Sequence, residues 1–237
     1  MRIILASSFN CNEKDGKGVR FPIPLTNTNS YLSNLKNYIS KYDSVVVVAN
    51  NPISYEITDM YANFLFASLD LSDLKFKNKT ILDNRNKKNA KTIIENANLI
   101  FLSGGKLECQ LDFFAEIGLR ELIKNHNGLI IGGSAGAMNL CNYACNFPEA
   151  LDEVNSKQRE YFLKGLGFHN ELLIPHFDGK KYDSDEVDVL NKFILPLSQE
   201  REFIAFDDDS YIVVNNGEAE YFGSFYKIKD GKIRKQK

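Results

Sequence analysis

Two kinds of hydrophobic pattern alternate along this chain. Continuous apolar runs, which are typical of strands buried on both faces, occupy 2–7, 44–50, 79–82, 99–105, 128–133 and 171–177. Apolar residues at helical spacing occupy 31–42, 59–71, 89–97, 107–125 and 184–195, and a run of small residues after 133 predicts another helix. This alternation predicts an α/β fold, with a doubly wound, mostly parallel sheet and helices on both faces.

The last third of the chain departs from that alternation. The stretch "FIAFDDDSYIVVNNGEAEYFGSFYKI" indicates strands joined by turns, and Asn216-Gly217 is a strong hairpin signal. A C-terminal β-hairpin is therefore expected beside the parallel strands. Because no repeat, linker or low-complexity block interrupts the pattern, we expect one domain over residues 1–237.

Composition narrows the functional classes. Of 237 residues, 43% are hydrophobic and 25% charged, as in ordinary globular proteins, and the net charge of −2 suggests neither a nucleic-acid nor a membrane surface. The apolar run in "MRIILASS" is too short for a signal peptide, and no stretch reaches the roughly 18 apolar residues of a membrane helix.

The cysteines bear on the compartment. Cys11, Cys109, Cys141 and Cys145 show no CxxC spacing, and the last two are expected to share one helix face. We interpret all four as buried reduced thiols, with no metal or disulfide role, and expect a cytoplasmic protein.

The stretch "LIIGGSAGAMNL" places Ser134 between an apolar run and a series of small residues. A sharp strand-to-helix turn would expose this serine as a nucleophile, and such a turn tolerates only small neighbours. The new helix would aim its free N–H groups at the same point, so Ala135 N–H is a natural oxyanion donor. The alternative is a helix N-cap serine beside packing glycines.

A nucleophilic serine needs a base, and the chain has only three histidines. His126 lies in the polar stretch "KNHNG" and is expected to be solvated, while His169 lies in a loop before a strand. His176 ends the strand in "LLIPHFDG", at the sheet edge where Ser134 is expected, and is the preferred base. The alternative for His176 is a core or capping role.

The base in turn needs a carboxylate on its other ring nitrogen. The triple acid Asp207–Asp209 at the end of an apolar run offers one, although a solvated turn is a serious alternative. Asp178 is the second candidate. An ordinary α/β hydrolase, with the chain order Ser…Asp…His, would instead use an acid between the serine and the histidine, and the candidates there are Glu149, Asp152 and Glu153.

A second oxyanion donor is expected from the loop in "FLSGGKLECQL". Gly104 and Gly105 would let the backbone approach a ligand closely, although a plain strand-to-helix turn would look the same. Two glycine-rich strand ends in one sheet favour the functional interpretation.

At these residues the sequence resembles the peptidase E family of serine peptidases, which also contains cyanophycinase. The segments "NANLIFLSGGKLECQL", "GLIIGGSAGAMNL", "GLGFHNELLIPHFD" and "FIAFDDDSYIVV" carry the resemblance, which covers most of the chain. It implies a class I glutamine-amidotransferase-like fold with the catalytic order Ser134, His176, Asp208. It also implies that Gly105 and Ala135 form the oxyanion hole.

Two departures from the family concern the substrate side and the acid. The family's Gly-Gly-Asn-Thr is replaced by Gly104-Gly105-Lys106-Leu107, and the acid Asp208 is shorter than the family's glutamate. The arginine that reads an N-terminal aspartate has no clear counterpart, and the segment after His176 offers only Lys180 and Lys181. Gly104 and Lys106 are the candidate substrate contacts.

The leading hypothesis is a cytoplasmic serine peptidase that acts on small peptides, with aspartyl dipeptides as one option. It implies no cofactor or metal, no nucleic-acid or membrane partner, and either a monomer or a homodimer. Two alternatives remain, a non-catalytic relative that binds a small ligand in the same pocket and an esterase or amidase using the same triad.

Overall fold

A computed structural model describes residues 1–148, 160–177 and 187–236. The strands, in chain order, are β1 (Arg2–Ala6), β2 (Asn12–Lys14), β3 (Arg20–Pro22), β4 (Ser44–Val48), β5 (Asn78–Leu82), β6 (Leu99–Leu102), β7 (Leu129–Gly133), β8 (Tyr143–Cys145), β9 (Phe162–Lys164), β10 (Leu172–Ile174), β11 (Phe203–Phe206), β12 (Tyr211–Asn215), β13 (Glu218–Phe222), β14 (Phe225–Lys229) and β15 (Lys232–Lys235). The helices are α1 (Tyr31–Tyr38), α2 (Tyr55–Leu71), α3 (Ala90–Glu95), α4 (Leu107–Glu116), α5 (Leu119–Ile123), α6 (Ala135–Leu140) and α7 (Leu195–Leu197).

Seven strands form the central sheet, in the order β13-β12-β1-β7-β6-β4-β5. The five strands from β1 to β5 in that order are parallel, whereas β12 pairs antiparallel with β1 and β13 pairs antiparallel with β12. The β12–β13 hairpin turns at Asn216-Gly217, where both residues have positive φ, as a type I′ turn requires. The predicted α/β class and its C-terminal hairpin are confirmed.

Alternate residues of the parallel strands enter two separate hydrophobic cores. Ile4 and Ala6 of β1 pack with α1 and α2, whereas Ile3 and Leu5 pack on the opposite face with α3 to α6. Because both faces of these strands are buried, their sequences are continuous apolar runs instead of alternating ones.

A second sheet was not anticipated from the sequence. It has the order β10-β11-β14-β15, with β10 and β11 parallel, and its apolar residues join the core that contains α3 to α6. The apolar runs at 171–177 and 203–206 therefore do not extend the central sheet. His176 follows β10 and Asp208 follows β11, and both residues contact Ser7 just after the end of β1.

Several helix boundaries differ from the sequence-based expectation. The helix expected over 107–125 is broken at Gly118, whose φ of 64° ends α4 and starts α5. The helix expected over 59–71 begins four residues earlier, and those over 31–42 and 89–97 are shorter than expected. Of the helix expected at 184–195, the described part is a π-helical turn over Leu190–Ile194 that leads into α7.

The four cysteines are free thiols, and Cys109 is half-buried while the other three are buried. The expectation that Cys141 and Cys145 share a helix face is wrong, because Cys141 caps the end of α6 and Cys145 lies on β8. Helix α6 ends before Cys141 and strand β8 begins at Tyr143, so no helix contains both cysteines. No helix in the described ranges has both the length and the apolar character that crossing a membrane requires.

Candidate active site

Ser134 lies at the turn between β7 and α6, with φ 51° and ψ −116°. This backbone conformation is rare for a residue with a Cβ, and strained strand-to-helix turns of this kind present the nucleophile in α/β hydrolases. The neighbouring glycines make the turn possible: a Cβ on Gly136 would lie 2.2 Å from the Leu102 carbonyl oxygen, and one on Gly132 would lie 2.6 Å from Gly136. Ser134 N–H donates to the Ala6 carbonyl over 2.9 Å, which ties the turn to β1.

His176 follows β10 by two residues and faces Ser134. Its Nε2 lies 2.9 Å from Ser134 Oγ, within reach for accepting the hydroxyl proton. Its own backbone also has a positive φ, 59°, and Pro175 precedes it. The imidazole is mostly shielded from solvent, since 22% of the side chain is exposed.

Asp208 lies in the loop between β11 and β12 and contacts the imidazole of His176. Its Oδ1 lies 2.6 Å from His176 Nδ1, so the shorter acid still reaches the ring. The hydrogen bond from His176 is the largest influence on this carboxyl and holds the pKa of Asp208 below its usual value, against the opposing effect of partial burial. A carboxylate there favours the tautomer with a free Nε2 lone pair, which a general base needs.

The other two acids of the triple have different partners. Asp207 accepts a hydrogen bond from the Tyr226 hydroxyl over 3.0 Å, and Asp209 accepts one from the Asn10 side chain over 2.7 Å. Of the three acids, only Asp208 makes a hydrogen bond with His176. The alternative candidates Asp178, Glu149, Asp152 and Glu153, together with Lys180 and Lys181, lie outside the described residues.

The loop after β6 approaches Ser134 closely. A Cβ on Gly104 would lie 3.2 Å from Ser134 Cβ, and Gly105 has φ +134°, a conformation that favours glycine. On the other side of Ser134, Ala135 is the first residue of α6, and its N–H is among those left without a partner inside a helix. Gly105 and Ala135 thus flank the serine as a pair of backbone donors would. Lys106 is exposed beside them.

The sequence-based site does not include Asn50, whose side chain is hydrogen-bonded to the backbone of Lys106 in the loop after β6. Its side-chain amide accepts the Lys106 N–H over 3.0 Å and donates to the Lys106 carbonyl over 2.9 Å. A Cβ on Gly105 would lie only 2.4 Å from Asn50 Oδ1. A signal did exist, because Asn50 is the first polar residue after the valine run of β4, at the sheet edge where ligands of α/β folds bind.

A second set of hydrogen bonds to this loop comes from α6, the helix that follows Ser134. The Asn139 side chain of α6 donates to the Leu107 carbonyl over 3.3 Å and to Gln110 Oε1 over 2.9 Å. Gln110 in turn donates to the Ser103 carbonyl over 2.7 Å. Both ends of the loop Ser103–Leu107 are thus held by buried amide side chains.

Ser7, at the end of β1, is also missing from the sequence-based site. Its side chain contacts the backbone N–H of His176 and the carboxylate of Asp208. Like Asn50, it is the first polar residue after a buried strand, so the same signal identifies it.

The other two histidines lie elsewhere. His169 Nε2 pairs with Glu171 over 2.9 Å. The expectation that His126 is solvated is wrong: 8% of the residue is exposed, and its Nε2 has no hydrogen-bond partner among the described residues. Burial lowers the pKa of His126. Within the described ranges no group of three or more His, Cys, Asp or Glu side chains is arranged to hold a metal ion.

Comparison with known proteins identifies the family. The model of Peptidase family S51 matches residues 58–222, which is well over half of the chain. The chain belongs to peptidase family S51. It is therefore a peptidase, as the resemblance to peptidase E implied. The matched segment contains Ser134, His176 and Asp208.

Solved structures share the fold at low sequence identity. A peptidase from an acI-B1 Actinobacterium is 18% identical with a TM-score of 0.67, over 99% of this chain and 93% of that one. A putative peptidase E protein from Listeria monocytogenes EGD-e is 16% identical with a TM-score of 0.62, over 93% of this chain and 96% of that one. No curated protein sequence matches the chain at a significant level.

Proposed function

We propose that this S51 member is a serine peptidase that hydrolyses small peptides through Ser134, His176 and Asp208. One observation carries the proposal, the unbroken hydrogen-bonded line from Ser134 Oγ through both ring nitrogens of His176 to Asp208. A serine at a strained turn, a base within 2.9 Å and a carboxylate behind the base together form the arrangement that acyl transfer requires.

The geometry supports a two-step mechanism. His176 Nε2 takes the Ser134 proton as Oγ attacks the scissile carbonyl, and the N–H groups of Gly105 and Ala135 stabilise the oxyanion that forms. His176 then gives the proton to the leaving amine, and the acyl-enzyme remains. Water, deprotonated by His176, attacks the acyl carbon and releases the acid, which restores Ser134. This chemistry needs no metal or organic cofactor.

We propose small peptides, including dipeptides, as the substrates, with no requirement for aspartate. Lys106 is exposed next to the candidate oxyanion loop, and no ion-pair partner for it occurs in the described part of the chain. A lysine is a flexible point charge, so it would attract a substrate carboxylate without the strict geometry that a guanidinium imposes. The free cysteines favour a reducing compartment, and we place the reaction in the cytoplasm.

Labelling by a fluorophosphonate probe tests the mechanism. The native protein is expected to be labelled at one site. Neither the Ser134→Ala variant nor heat-unfolded protein is expected to be labelled. A dipeptide library, followed by detection of released amines, and a parallel p-nitrophenyl acetate assay would then separate peptidase from esterase activity. A folded protein that neither labels nor cleaves any dipeptide would contradict the proposal, and ester cleavage alone would favour the esterase alternative.

A further inference from the structure

The nucleophile and its two partners come from different sheets. Ser134 follows β7 of the central sheet, whereas His176 and Asp208 follow β10 and β11 of the second sheet. No backbone ladder joins β7 to β10 or β11 in the sheet order. The distance between Ser134 Oγ and His176 Nε2 therefore depends on what fastens the end of one sheet to the end of the other.

Three residues at the end of β1 supply hydrogen bonds across this junction. The Ala6 carbonyl accepts the N–H of Ser134 over 2.9 Å, Ser7 Oγ accepts the N–H of His176 over 2.7 Å, and Ser8 Oγ accepts the N–H of Asp209 over 3.3 Å. The three donors share a property: each belongs to a non-glycine residue with positive φ, between 51° and 62°. Three consecutive residues of one strand end thus hold three strained turns.

Ser7 makes the most connections of the three. Besides accepting from His176, its hydroxyl lies 3.2 Å from Asp208 Oδ1 and 3.4 Å from the Phe206 carbonyl. A hydroxyl has one proton, and the shorter contact to a charged acceptor is the stronger of the two. Ser7 is fully buried, and its own N–H donates to the Ser210 carbonyl over 3.0 Å, so water does not compete for these bonds.

We propose that Ser7 is a positioning residue that sets the alignment of His176 and Asp208 on Ser134. It accepts from the backbone of the base and donates to the carboxylate that orients the base, and so fixes both with one oxygen. The inference rests on the proposed function, because alignment matters only if Ser134 and His176 react together. Misplacement of a catalytic group by about 1 Å can cost on the order of 10²-fold in rate, so loss of this contact is expected to be visible in kinetics.

The test uses saturation kinetics of fluorophosphonate labelling, which yields a binding constant KI and a maximal labelling rate kinact. Ser7→Ala is expected to lower kinact by about 10- to 100-fold and to leave KI within about threefold, because Ser7 acts on the base and not on the ligand. Ser7→Thr keeps the hydroxyl and is expected to recover most of the lost rate.

A matched control exists elsewhere in the chain. Ser198 is also fully buried, accepts the Gly231 N–H over 2.9 Å and donates to the Leu195 carbonyl over 2.7 Å. Ser198→Ala also loses one hydrogen bond accepted from a backbone N–H and one donated by the hydroxyl, and neither involves the triad. It is therefore expected to lower the Tm as Ser7→Ala does while kinact stays within about twofold. If Ser7→Ala does not fold, Ser7→Cys takes its place, because sulfur is a weak acceptor on a side chain of nearly the same shape.

The outcomes are distinguishable. A native protein that does not label would overturn the proposed function, and the Ser7 inference with it. A native protein that labels, with a folded Ser7→Ala within threefold of its kinact, would overturn the Ser7 inference alone. So would equal losses of kinact in Ser7→Ala and Ser198→Ala, or a Ser7→Thr that recovers nothing, because these results would indicate a general loss of stability.

Discussion

At the scale of single residues, the candidate site combines backbone strain with hydrogen bonds that hold it. Ser134, His176 and Asp209 each adopt a positive φ, at a cost of about 1–3 kcal/mol per residue. Such strain persists only where the surroundings determine it completely. The strain at Ser134 exposes its hydroxyl above the sheet edge, so we expect stability and reactivity to oppose each other at this position.

Replacement of Ser134 tests this opposition. An alanine to glycine change usually destabilises a protein by about 0.4–1 kcal/mol. At φ 51° and ψ −116° glycine is unstrained, so Ser134→Gly is expected to have a free energy of unfolding at least equal to that of Ser134→Ala. Urea unfolding of the two variants measures the difference, and a less stable glycine variant would indicate that the turn is relaxed. Both variants should lose turnover by about 10⁶-fold, as in other triads that act as a unit.

The choice of Asp208 as orienting acid predicts a specific kinetic loss. Asp208→Asn keeps the shape of the side chain, but its amide can donate to His176 Nδ1 and so favours the wrong tautomer. We expect kcat to fall by about 10⁴-fold, because Nε2 then carries the proton and cannot accept one from Ser134. Asp207→Asn is the matched control, since Asp207 contacts Tyr226 and not the histidine. Equal effects of the two substitutions would rule out the assignment.

At the scale of elements, the loop Ser103–Leu107 is held rigidly from two sides. The side chain of Asn50, just after β4, makes two hydrogen bonds to the backbone of Lys106. Gln110 donates to the Ser103 carbonyl, and Asn139 donates to the Leu107 carbonyl. Rigidity is what the proposed oxyanion role of Gly105 requires, because oxyanion donors stabilise charge without reorganising during the reaction. Asn and Thr at positions 106 and 107, as in the family, are therefore not needed to hold the loop: the backbone of Lys106 makes the bracing contacts.

Gly105 is the position where this loop tolerates a side chain least. A Cβ would lie 2.4 Å from Asn50 Oδ1, and φ +134° is unfavourable for any other residue. Gly105→Ala must displace Asn50 and rotate its own peptide, so kcat is expected to fall by about 10²–10³-fold, the usual cost of one oxyanion donor. Gly16→Ala is the control, because nothing lies within 4 Å of its Cβ position. Turnover of Gly105→Ala near the native value would contradict a role for this loop.

The elements also show what the sequence could and could not predict. Ser134, His176 and the parallel strands were accessible, because small residues around a serine and continuous apolar runs have local physical causes. The second sheet was not, because β10 and β11 have the same apolar runs as central strands and pairing partners are not encoded in periodicity. Asp208 could not be chosen among three adjacent acids from spacing alone, since the choice depends on how the β11–β12 loop turns. Ser7 and Asn50 share a signal in the sequence, because each is the first polar residue after a buried strand.

At the scale of the whole molecule, the two edges of the central sheet have different properties. Ser134 follows β7 at the carboxyl edge, whereas His126 precedes the same strand at the amino edge. His126 is buried and its pKa is lowered from its ordinary value of 6.5 because burial disfavours the charged ring. The proton that His126 takes up on unfolding should therefore affect stability without affecting the active site.

The lowered pKa of His126 in the folded protein predicts that stability depends on pH. As the pH falls through about 6.5, the unfolded chain binds more proton at His126 than the folded protein does, because burial lowers the pKa of the folded histidine. The free energy of unfolding should therefore fall as the pH falls through that range. The limiting slope for one proton is about 1.4 kcal/mol per pH unit. Urea unfolding of the native protein and of His126→Phe between pH 7 and pH 5 measures it. The variant should lose less stability over this interval, and parallel curves would show that the pKa of His126 does not differ between the folded and unfolded states.

Substrate preference also belongs to the whole molecule, because it depends on which charges surround the nucleophile. A pocket that selects an acidic side chain normally presents a guanidinium, whose planar fork matches a carboxylate. The nearest cation in sequence to the candidate oxyanion loop is Lys106, which is exposed, and Lys180 and Lys181 follow the base in sequence. We therefore expect a weak and broad preference for acidic dipeptides.

Comparison of kcat/KM for Asp-Leu, Glu-Leu and Ala-Leu dipeptides measures that preference, and Lys106→Met serves as the matched variant. An exposed ion pair between a lysine and a carboxylate contributes about 0–1 kcal/mol. The ratio of kcat/KM for Asp-Leu to that for Ala-Leu should therefore stay within about tenfold, and it should fall toward one in Lys106→Met. Lys164→Met, on the exposed end of β9, controls for loss of positive charge in general. A ratio of about 10⁴ or more would exceed what a solvated lysine can supply. Such a ratio would require a dedicated polar pocket, and its independence of Lys106 would show that other residues form it.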